Sequence, residues 1–154
     1  MLRQEHAVAQ KVTRKRIEIE GGVFSLDEDG RARVGAITKG MRRLEAALAA
    51  SGDQELIELY NNSTFRYRDI RYDNGSEYSQ AEAYYINGKQ GSIAFYKDFS
   101  IRDQYMSNLT VFHEFRHLQT ENYNMKTNRD WILAQDAPFE KDAWSWALKF
   151  NKQY

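Results

Sequence analysis

Cysteine is absent from the 154 residues. Its absence excludes disulfides, thiolate nucleophiles and cysteine-type zinc sites, and leaves the redox compartment open. Proline occurs once, at Pro138. No proline-rich linker divides the chain, and its length reads as a single domain over 1–154. Apolar runs stop at four or five residues, too short for a membrane-spanning helix. The N-terminus, Met1-Leu2-Arg3-Gln4-Glu5-His6, lacks the apolar stretch of a signal peptide. A soluble protein is expected, either cytoplasmic or exported as part of an effector. An excess of one charge is also missing, because 22 Lys and Arg balance 22 Asp and Glu. A nucleic-acid binder normally carries a basic excess. The single basic run, Lys11 to Arg16, reads as a solvated face, and no nucleic-acid partner is expected.

Aromatic residues are plentiful, with ten Tyr, eight Phe and three Trp. A chain of this length and content can bury a real core and is not a disordered one. No internal repeat is visible.

Hydrophobic spacing divides the chain into a β-rich first part and a helical last part, an α+β order. Ile17 and Ile19 alternate with charged residues, and Val23, Phe24 and Leu26 follow Gly21-Gly22. This predicts a hairpin over 12–34, with Asp29-Gly30 as a second turn. Residues 1–35 then either join the core or form a β-hairpin arm. Ile37, Met41, Leu44 and Leu48 predict a helix over 36–50, ended by Ser51-Gly52. Asp53 caps a short second helix through Tyr60. Phe65, Tyr67, Ile70 and Tyr72 suggest strand, and Asp73 to Ser76 a turn. Residues 81–86 and 91–96 flank Asn87-Gly88, a strong hairpin signal. Ser100 to Asp103 resembles a capping box before a helix over about 101–121. A last helix begins near Pro138, with Asp136 as its cap.

The chemistry concentrates in His113-Glu114-Phe115-Arg116-His117, an HExxH pattern within the predicted helix. Residues four apart share a helix face, so His113 and His117 can direct both imidazoles at one metal ion. Glu114 lies about 100° around the helix and can reach a water on that metal as a general base. Catalytic zinc usually takes three protein ligands plus water. No third histidine follows, so the third ligand should be a carboxylate. Glu121 is two turns along the helix and too distant, while Asp130 and Asp136 remain open. Glu140 is the best candidate. It lies in the first turn of the last helix, with Ala143 and Ala147 on its face allowing close approach. Asp142 is the runner-up, or an acceptor for a ligating imidazole N–H. Tyr123, Arg129 and Tyr154 are candidates for stabilising an oxyanion or supporting the site.

HExxH on a helix, followed by Glu140-Lys141-Asp142-Ala143-Trp144-Ser145-Trp146-Ala147 in an ExxAxxxA pattern, resembles the gluzincin group of zinc metallopeptidases. The HEFRHLQ context also resembles compact bacterial metallopeptidase domains, including those of secreted effectors and polymorphic toxins. The resemblance covers residues 91–148. It implies a zincin-like fold, with an antiparallel or mixed sheet, an active-site helix and a C-terminal helix packed beside it. It implies a Zn2+ cofactor, held by His113, His117 and Glu140, with Glu114 as base and a protein or peptide as substrate. It further implies that Gly91 to Tyr96, through Ile93, Ala94 and Phe95, is an edge strand that binds the substrate. Thermolysin-like members carry an Asp four residues after the ligand Glu, where this sequence has Trp144. Three rival expectations accompany the peptidase: a proteolytically silent zinc-binding interaction module, an effector or toxin domain acting on one partner protein, and an adaptor using the 11–16 basic run.

Overall fold

The computed structural model describes residues 9–73, 77–120 and 138–154. Strand β1 (Glu18–Ile19) leads through a 3-10 turn (Val23–Ser25) into helix α1 (Glu28–Ser51) and helix α2 (Gln54–Asn61). Strands β2 (Thr64–Tyr67), β3 (Tyr72–Asp73), β4 (Tyr78–Ser79), β5 (Ala81–Ile86) and β6 (Gln90–Phe95) follow. Helices α3 (Gln104–Thr120) and α4 (Pro138–Gln153) complete the α+β fold. Among the described residues no helix is long and apolar enough to cross a membrane.

The main sheet is mixed, in the order β1-β2-β6-β5. β1, β2 and β6 run parallel, and β5 is antiparallel to β6. The β5–β6 hairpin forms as expected, with Ala81 opposite Phe95 and Ile86 opposite Gln90. Asn87 and Gly88 both have positive φ, 53° and 70°. That is the backbone a two-residue type I′ turn requires, and it suits Asn and Gly.

The expectation of a hairpin over 12–34 is overturned. Only Glu18–Ile19 pair as strand, in parallel with β2. Gly21 and Gly22 do turn the chain, at φ 83° and 82°. Beyond them the Asp27 side chain accepts a 2.7 Å hydrogen bond from the Gly30 N–H and starts α1. Glu28 and Asp29 then occupy the first turn, where acidic groups oppose the helix dipole favourably. Asp29-Gly30 is therefore helical rather than a turn. Within the described part of the segment expected as an arm, residues 9–35, Val12, Ile17, Ile19 and Val34 pack against the core. Asp53 caps α2 as expected, accepting from the Leu56 N–H. α3 starts later than the capping-box reading suggested. Asp103, not Ser100, accepts from a first-turn N–H, that of Tyr105 at 3.0 Å.

α3 is the hub of the fold. It touches β5 and β6, and also α1, α2 and α4. Leu109, Val111, Phe112, Phe115 and Leu118 are buried on it, which is the pattern of a helix enclosed on nearly every side. A fully buried side chain of this size stabilises by about 1.5–3 kcal/mol. Gly40 sets the spacing between α1 and α3. A Cβ there would lie 2.7 Å from Val111 Cγ2, so only glycine permits this approach. Phe112, Phe115, Trp146 and Phe150 then dock α4 onto α3, with ring centroids 4.6–6.3 Å apart.

Candidate metal centre

His113 and His117 are separated by one turn of α3 and are 3% and 1% exposed. Their Nε2 atoms approach to 3.0 Å with the rings nearly perpendicular, at 87°. Glu140 enters from the first turn of α4. One carboxylate oxygen lies 2.6 Å from His117 Nε2 and the other 3.4 Å from His113 Nε2. Ala143 and Ala147, both fully buried, leave the room that brings α4 this close. Glu114 is buried beside the pair, its Oε2 3.9 Å from His113 Nε2. His113, Glu114 and His117 each place a donor atom within 4.8 Å of the others.

These atoms face a common point. Glu140 Oε1 is buried and makes no well-aligned hydrogen bond, despite its short distance to His117. Ligands about 2.0–2.2 Å from a tetrahedral ion stand roughly 3.3 Å from each other, near the 3.0 Å and 3.4 Å from His113 Nε2 to His117 and Glu140, while Glu140 and His117 stand closer, at 2.6 Å. Two imidazoles and a carboxylate are also a donor set that suits zinc. Burial pushes the Glu140 carboxyl up, but the close approach of the His113 and His117 imidazoles outweighs it and holds it down at about 2. The group is thus an anion at neutral pH, as a metal ligand must be.

Asp142, the alternative ligand, is engaged elsewhere. Its two oxygens take a fork of Arg116, from Nε at 2.9 Å and Nη2 at 3.3 Å. That hydrogen bonding holds its carboxyl below the usual range. Arg116, inside HExxH, therefore pins α4 to α3, a role that no local pattern signals because its partner is 26 positions away. The Nδ1 atoms of His113 and His117 are buried and have no hydrogen-bond partner among the described residues. Instead the Trp144 ring lies against His113 with centroids 4.0 Å apart, and the Phe139 ring lies 5.9 Å from His117.

Two other expectations fail. β6 is paired on both sides, with β2 and with β5, so Ile93, Ala94 and Phe95 are not on an edge. All three are fully buried and cannot meet a substrate. The outer strand on this side is β5. Tyr154 follows the last residue of α4, fourteen positions beyond Glu140 and about 21 Å further along the helix direction. Its ring packs on Phe150, which removes it from the oxyanion candidates. Glu121, Tyr123, Arg129, Asp130 and Asp136 lie outside the described residues.

No protein-family model matches this chain, and neither does any curated protein or solved structure. The gluzincin resemblance therefore rests on the two sequence motifs.

Proposed function

We propose that the chain is a zinc-dependent metalloendopeptidase. The observation that carries this is the convergence of His113 Nε2, His117 Nε2 and the Glu140 carboxylate, from two different helices, with Glu114 alongside. His113, His117 and Glu140 are the residues that would hold the ion. Zinc supplies the Lewis acidity that brings the pKa of a coordinated water towards about 7 and polarises a carbonyl. Glu114 would take a proton from the attacking water as its oxygen bonds to the scissile carbonyl carbon, and would return that proton to the amide nitrogen as the C–N bond breaks. Burial of Glu114 keeps competing water away and strengthens its interaction with the proton it carries. β5 ends the main sheet among the described residues, and it is the strand beside which an extended peptide would pair.

Incubation of the zinc-loaded chain with a proteome-derived peptide library tests this. Cleavage by wild type and its loss, by a factor of about 100 or more, in Glu114→Gln is the expected result. A second reading, a zinc-binding module without peptidase activity, is favoured by one observation. Neither ligating imidazole has an acceptor for its Nδ1–H among the described residues. Zinc binding with no cleavage of any library peptide selects that reading.

A further inference from the structure

We infer that Trp144 is the positioning residue of the metal centre, its indole face setting the orientation of His113. The inference rests on the metal reading above. A ligating imidazole ordinarily donates its second N–H to a carboxylate, carbonyl or water, and that bond fixes ring and tautomer. His113 Nδ1 is buried and has no such partner among the described residues.

What His113 has instead is a flat neighbour. The indole and imidazole centroids are 4.0 Å apart and the planes are inclined by 36°. The His117 ring confines the same imidazole from another direction, 4.6 Å away and at 87°. Rotation of His113 about Cβ–Cγ drives a ring edge into the indole, so the ring plane is held without a hydrogen bond. Trp144 follows Glu140 by four residues, one helical turn. One face of α4 thus delivers both a carboxylate and an aromatic wall to the site.

The contact also strengthens with metal. Coordination withdraws electron density from the imidazole, and an electron-poor ring is attracted to the face of indole more than to benzene, and not to an alkyl group. Metal affinity should therefore fall with the aromatic character of residue 144, and the cobalt spectrum should change with it. Trp144 is half-buried and packs against the margin of the core rather than within it.

Cobalt(II) titration of the full chain against a chromophoric chelator tests this, with Trp144→Phe and Trp144→Leu beside wild type. The expected order of affinity is Trp, then Phe, then Leu, at an unchanged one ion per chain. The Leu variant should lose about tenfold or more, with an altered visible cobalt spectrum and an unchanged unfolding midpoint without metal. A Leu variant within twofold of wild type overturns the inference and leaves the metal site standing. Wild type that binds no cobalt removes the metal reading itself. Should the Leu variant fail to fold, Trp144→Phe carries the test. A loss of a few-fold supports the inference, and equal affinity overturns it.

Discussion

Glu140 places a carboxylate oxygen 2.6 Å from His117 Nε2, although the two residues belong to different helices. That contact joins the start of α4 to the last turn of α3. It exists because small buried residues, Ala143 and Ala147, lie on the same face of α4. The helix pair and the site are therefore one construction, and changes to packing should be felt at the metal.

The same contact makes stability depend on pH. The Glu140 carboxyl is held at about 2 in the fold against 4.5 for the free group. A depressed carboxyl stabilises the fold fully above its unfolded value, and the contribution is lost as pH falls towards the folded value. Metal-free wild type should therefore exceed Glu140→Gln in stability, with a gap that is widest above about pH 5. The gap should shrink continuously below 4.5. Denaturant unfolding of both proteins from pH 6 down to about 2.5 measures it. A gap independent of pH contradicts the assigned carboxylate.

Gly40→Ala should destabilise the chain by about 1–2 kcal/mol. Alanine gains about 1 kcal/mol in helix propensity. The new Cβ meets Val111 Cγ2 at 2.7 Å, and a β-branched side chain in a helix has little freedom to move away. Overpacking of this kind costs about 1–3 kcal/mol or somewhat more. Adding Val111→Ala should return part of the loss, since it removes the obstructing methyl groups. Urea unfolding of the single and double variants gives the answer. A Gly40→Ala protein as stable as wild type would show that the helices can separate freely.

Asp142→Asn should leave metal binding within a few-fold of wild type. Its oxygens bond Arg116 rather than an imidazole. The side chain is 44% exposed, so the ion pair contributes at most about 1 kcal/mol. Competition against a zinc-sensitive dye checks this. Loss of zinc from Asp142→Asn would return Asp142 to the ligand set.

Asn61 clamps the N-terminal segment to the body of the protein. Its side-chain amide donates to the Lys11 carbonyl and accepts from the Thr13 N–H, both at 2.8 Å. Glu45 and Arg42 bond the N–H and carbonyl of Lys15 in the same manner. Asn61→Ala should cost about 1 kcal/mol and release the segment locally. Limited trypsin digestion followed by mass spectrometry should show faster cleavage after Lys11, Arg14, Lys15 and Arg16. An unchanged cleavage rate would show that the segment is held by its apolar contacts alone.

The parts of the fold that were legible in the sequence are those with local causes. Asn87-Gly88 supplies the backbone of its own turn, and Asp53 caps α2 from the adjoining position. HExxH needs only the helical period to bring His113 and His117 together. The start of α1 is not legible because two local signals compete. Asp29-Gly30 is a turn pair, but Asp27 caps the helix three residues before Gly30 and prevails. Strand order is not local at all. Nothing within 91–96 says that β2, more than twenty residues earlier, covers the side of β6 expected to be free. The Trp144 contact lay half-visible. The residue occupies the position of an expected acid, yet only the packing of α4 on α3 shows that it meets His113 by its face.

The most direct test is the metal content of untagged protein, measured by elemental mass spectrometry on wild type, Glu114→Ala and Glu140→Ala. One zinc per chain in wild type and Glu114→Ala, with loss in Glu140→Ala, is the predicted result. Wild type that carries no zinc after reconstitution without chelator, or Glu140→Ala that retains it fully, would contradict the three-ligand site.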